Sequence, residues 1–163
     1  WIDSSKNITT KFLSSVIKNI KSGISLDKLF LLYRCDSYNS IEAYFQLAQL
    51  YLEKNMKEKF LEVSIMGMLT SVTRIEQILK ERELEYTYKN FNHFYYLAIQ
   101  YSDIISWGIK NKIWQGFFNF GQAMELNNFD TLAKEIYTQN VIYSPEEYWQ
   151  KTSREKLKRL AEE

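Results

Sequence analysis

The side chains that most often do chemistry are few in this chain and far apart. His93 is the single histidine and Cys35 the single cysteine among 163 residues. A multi-histidine metal site, a thiolate cluster and an intrachain disulfide are therefore excluded for this sequence. His93 lies in NFNHFYY, where an imidazole either shuttles protons or packs beside its aromatic neighbours; the neighbours favour packing. Cys35 follows Arg34, a cation that would lower its pKa, although a thiol near a helix end is usually inert. No glycine-rich phosphate loop, H-E-x-x-H or G-x-S-x-G string occurs. Carboxylates gather in ERELE at 81–85, which reads as a solvated helix face. Glycoside chemistry would need two acids facing each other across a pocket. Asn7-Ile8-Thr9 fits the glycosylation sequon. The expectation is a chain with no catalytic residue, no metal and no cofactor.

Composition narrows the class further. Apolar residues make up 45% and charged residues 25%, the balance of a soluble globular domain. One proline and five glycines are too few for the many turns of an all-β fold. A net charge of +1 offers no large field for nucleic acid or an anionic membrane. Lysines and arginines concentrate at the two ends, from Lys6 to Lys28 and from Lys151 to Arg159, with glutamates mixed into the later group. The longest apolar run is LFLLY at 29–33, far short of a membrane span. The chain begins at Trp1 rather than Met, as a fragment or processed form would, so a leader or anchor could lie upstream. Abundant Lys, Asn and Ile suggest a bacterial source, in the cytoplasm or the cell envelope.

Apolar spacing is helical almost throughout. Phe12, Val16, Ile17 and Ile20 form one stripe that Gly23 can end, and Ser25 can cap a short helix carrying Leu26, Leu29, Phe30 and Tyr33. Ser40 can cap a helix over 41–54, followed by a break at Asn55 and a helix over 57–69. Thr73 is read as the cap of a separate helix over 74–86. A long aromatic helix is expected over 90–109, a break at KNK (110–112), then helices near 113–127 and 129–142. Ser144, Pro145 and Glu147 form a helix start for the last segment. Eight or nine helices in one domain follow: N-terminal helices over 1–38, hairpins over 41–142 and a C-terminal cap over 145–162.

Two stretches carry a repeating pattern. Phe117, Phe120, Gly121 and Met124 are followed by Ala133, Tyr137 and Pro145; Tyr44, Leu47, Ala48 and Tyr51 repeat the first half, with Phe60, Ser64 and Gly67 after them. This spacing resembles the tetratricopeptide repeat, W-x2-L-G-x2-Y, then A-x3-F, then P. The chain is similar to that family over about residues 41–162, with one good copy, one fair copy and one degenerate copy in the 74–109 interval. The resemblance implies an all-α, right-handed stack of about three helical hairpins with cap helices at both ends. It also implies that Gly121 and Ala133 touch across a hairpin, and that Ser64 or Gly67 supplies the close approach in the earlier copy.

In that family the first helix of each hairpin lines a concave surface that holds peptides. Carried over, the lining is Glu42, Phe45, Gln46, Gln49, Leu52 and Glu53 in one copy, and Gln115, Phe118, Asn119, Gln122, Glu125 and Leu126 in the other. These positions hold no lysine or arginine, so the family's clamp for chaperone C-termini is not expected. The expected partner is another protein or peptide with a partly apolar surface, read by Phe45 and Phe118. The alternative is that both phenylalanines pack as core. Trp107, Trp114, Tyr148 and Trp149 are further candidates for a partner patch, and homo-oligomerisation is left open. The first 35 residues could cap the stack, fill its groove or dock elsewhere. A rival reading is a helical sensor that takes a small apolar ligand or peptide in the aromatic-rich 90–120 region.

Overall fold

Helix ends fall where local chemistry stops the backbone. The computed structural model describes residues 2–162, with side chains from residue 9 onward; Asn7 of the sequon lies outside those described side chains. Among the described residues there are nine helices and no strand: α1 (Ile2–Lys21), α2 (Leu26–Leu32), α3 (Ile41–Glu53), α4 (Lys57–Arg82), α5 (Phe91–Ala98), α6 (Ser102–Lys110), α7 (Ile113–Leu126), α8 (Asp130–Tyr143) and α9 (Glu147–Glu162). Ser25 and Ser40 cap as expected, accepting from the amides of Lys28 and Ala43. Gly23 ends α1 with φ +90°, and Asn55 and Asn128 end α3 and α7 in the same left-handed region at 57° and 65°. At each of these stops the residue's own amide and the next one return to carbonyls of the last turn.

Two expected boundaries are corrected. There is no break at Thr73: α4 runs unbroken for 26 residues. Its Ser71 and Thr73 hydroxyls donate back to the carbonyls of Gly67 and Leu69, at 2.7 and 2.8 Å, so neither leaves the helix to cap a new one. The degenerate hairpin of 74–86 with 90–109 therefore does not exist. The second segment is itself divided, because Ile99–Tyr101 interrupt it. α5 starts on Asn90, whose Oδ1 accepts from the His93 amide at 2.7 Å. Its buried residues are Phe91, Phe94, Tyr95 and Ala98, and the stripe resumes out of phase at Ile104 and Gly108 on α6. The re-aimed α6 sets Gly108 over the Trp114 indole, whose Nε1 donates to the Ile105 carbonyl at 3.2 Å.

The long helices pack in the order α3, α4, α7, α8, α9, each along the next, with lighter contacts from α3 to α7 and from α7 to α9. The α5–α6 pair comes between α4 and α7 in chain order, with α5 touching α4 and α8 and α6 touching α7. α2 lies against α5 and α8, and α1 lies on α2. One apolar core runs from Val16 to Leu160. Its tightest point is Phe45, which fits between Gly67 of α4 and Gly116 of α7: a Cβ at either glycine would collide with its ring. Gly67 thus supplies the close approach expected of the first hairpin. In the second hairpin the nearest contacts are not with Ala133. A Cβ on Gly121 would lie 2.7 Å from Tyr137 Cε1 and 3.2 Å from Ile136 Cγ2, one turn further along α8.

Candidate functional site

The two helices expected to present a binding surface, α3 and α7, touch only lightly, and their C-terminal residues Leu52 and Leu126 line one recess. Phe45 and Phe118 do not reach that surface. Phe45 is held by its glycines, and Phe118 is sandwiched by Tyr137 and Trp149 at ring separations of 5.7 and 5.2 Å. Both are core, because glycines and rings distant in sequence close over them. Asn119 is also buried, and its Nδ2 has no partner among the described residues. Gln46 stays exposed and reaches Glu42 at 3.3 Å; Gln49 pairs with Glu53 at 3.4 Å. Glu42, Gln49, Gln115 and Gln122 are half-buried.

Apolar surface emerges instead at the C-terminal edge. Leu52 and Asn55 of the α3 end, Met56, Lys57 and Phe60 of the α4 start, and Leu126 of α7 line a notch of about 210 Å³. Phe60 is its buried floor, while Met56 and Leu126 are exposed on its rim. Leu52 and Leu126 were legible as surface positions; Met56 was not, since it falls in a turn and carries no periodic signal.

Glu125 is tied up. It accepts from the Tyr137 hydroxyl at 2.8 Å and pairs with Arg159 of α9. Burial raises the Tyr137 phenol above its usual range, and the neighbouring Glu125 adds to it. Lys156 of α9 is held below its usual range by burial, opposed by Glu125. The third helix of this side therefore brings cations that the two mapped repeats lack. Among the aromatic candidates, Trp114 is fully buried, Trp149 is half-buried against Phe118, Trp107 is half-buried, and Tyr148 is exposed.

A polar clasp escaped the sequence reading. Glu76 is buried on α4, with Arg34 Nε at 2.5 Å from one carboxylate oxygen and the Tyr86 hydroxyl donating to the other. The Arg34 guanidinium also lies 4.9 Å above the Tyr88 ring. Burial and the Glu76 carboxylate together push the Tyr86 phenol up. His93 stacks on Tyr86 at 6.3 Å, with its Nδ1 buried and unpartnered among the described residues. A signal was present: Glu76 falls on the buried stripe of Leu69, Val72 and Leu79. With Glu76 neutralised by a cation and a hydroxyl, this constellation fastens the segment after α2 to α4. Arg34 points to Glu76 rather than activating Cys35, whose thiol burial pushes up. Among the described residues no group of three or more His, Cys, Asp or Glu could hold a metal. No helix there is long and apolar enough to cross a membrane.

No protein-family model matches the chain, and no solved structure matches it. It is similar to a protein of Treponema pallidum (strain Nichols), 23% identical over 134 residues, covering 82% of this chain and 36% of the relative. It is also similar to a protein of Borreliella burgdorferi, 24% identical over 112 residues, covering 69% of this chain and 35% of the relative. Both carry the description "Uncharacterized protein". The relatives are bacterial, as composition suggested. The chain spans a little over a third of the length of these curated relatives.

Proposed function

We propose that this chain is a non-catalytic, tetratricopeptide-like module that holds another protein or peptide at the C-terminal edge of α3 and α7. The observation that carries the reading is the notch of Leu52, Met56, Phe60 and Leu126, an apolar recess open at the surface and bordered by Asn55 and Lys57. Recesses of this kind take one large apolar anchor of a partner, with nearby amides fixing its backbone. Asn55 supplies such an amide within the notch lining. The carboxylates of Glu76 and Glu125 are each engaged by a cation and a phenol within the chain. The rival pocket in the aromatic block has less support. Tyr95, Trp114, Phe117 and Phe91 are fully buried against one another at 5.1–5.9 Å and fill that region with their own rings.

The test is affinity capture from the native organism with the wild-type chain and with Leu126→Asp. Leu126 is exposed, so the variant keeps its fold, which circular dichroism checks. Loss of a specific partner with an unchanged spectrum is the expected result. Equal recovery by both proteins would sink the notch as the binding site.

A further inference from the structure

The two ends of the helical array are finished differently. The last helix, α9, turns exposed charges outward, among them Lys151, Arg154, Glu155, Lys158 and Glu162, as a solvated end should. The first helix of the array does not. α3 packs on α4 and α7 through Ile41, Tyr44, Phe45 and Ala48. Its far side carries Ala43, Leu47, Leu50 and Lys54 at spacings of four, three and four residues, and all four are exposed. Leu47 and Leu50 keep 36% and 42% of their surface in water. That spacing is the seam of a helix pair, and the seam has no counterpart in this chain among the described residues.

We propose that a second copy of this chain covers it, with two α3 helices antiparallel across a two-fold axis. An axis between Leu47 and Leu50 sets Leu47 against Leu50 of the second copy. The same register sets the small Ala43 against the long Lys54. The Lys54 stem then lies over Ala43, and its ammonium reaches toward Glu42 of the second copy. Gln46 faces Glu53 of the second copy, which also lies opposite Glu42, so the Lys54 ammonium offsets two carboxylates on that flank. Size and charge are thus self-complementary, which a two-fold interface requires of a single surface. One helix pair of this length lies at the small end of specific interfaces, so the dimer forms in a concentration-dependent way.

Sedimentation velocity across a concentration series tests the pairing on the full chain. Wild type should shift from monomer to dimer mass. Leu50→Glu should remain monomeric at every concentration, Lys54→Glu should weaken the dimer, and Glu42→Lys with Lys54→Glu should restore it. A zero-length carbodiimide cross-link between Glu42 and Lys54 is the sharper readout. Twelve residues along one helix separate their backbones by about 18 Å, so the link can form only between copies. A wild type that stays monomeric, or a Leu50→Glu variant that still dimerises, would overturn the proposal. Leu126→Asp should leave the dimer intact, which separates this surface from the notch.

Discussion

In the α3–α4 hairpin the large ring stands on the first helix. Phe45 reaches across to Gly67 and on to Gly116 of the following hairpin. In the α7–α8 hairpin the glycine stands on the first helix instead, and Gly121 receives the ring of Tyr137 from the second. Both bring helix axes together by letting an aromatic edge rest on bare backbone, but the direction of insertion is reversed. The first arrangement ties three helices with one side chain. The second ties two, and it anchors its ring through a hydroxyl bond to Glu125. A repeating pattern of aromatic and small residues thus marks where helices approach closely, without saying which partner supplies the ring.

The contrast predicts a hierarchy of losses. Phe45→Ala empties the contact shared by three helices and should cost about 3–5 kcal/mol by urea denaturation. A loss confined to that of a surface residue would contradict the three-way contact. Gly116→Ala should cost about 1–3 kcal/mol through overpacking, despite the better helix propensity of alanine. Combining it with Phe45→Leu should recover part of that loss, a coupling of at least about 0.5 kcal/mol, whereas additive losses would show that ring and glycine do not meet. Gly121→Ala meets the edge of the Tyr137 ring and the Ile136 Cγ2 methyl and should cost about 1 kcal/mol, with a lowered Tm as the readout. Comparable in size, Tyr137→Phe should cost about 0.5–1.5 kcal/mol for the lost hydroxyl bond, and that cost should be absent when Glu125 is already alanine.

Much of this was legible before the coordinates. Caps at Ser25 and Ser40, the stops at Gly23 and Asn55, and the helical phase of α7 and α8 follow from interactions within a few residues. What could not be read depends on distant partners. Phe45 meets Gly116 across 71 positions of chain, so its spacing on α3 was equally compatible with a binding face. The unbroken α4 was hidden because Ser71 and Thr73 can either cap a helix or bond within one, and local sequence does not decide between them. The notch was half legible: Leu52 and Leu126 carry helical phase, whereas Met56 belongs to a turn.

That unbroken α4 has a mechanical consequence. Its 26 residues form a strut of about 39 Å, since each residue adds about 1.5 Å. The notch lies at its first turn, through Lys57 and Phe60, and the Arg34–Glu76 clasp lies near its other end. Between notch and clasp no proline interrupts it, and its single glycine, Gly67, is covered by the Phe45 ring. The notch and the clasp are therefore held about 28 Å apart, from Lys57 to Glu76, by one continuous run of helical hydrogen bonds.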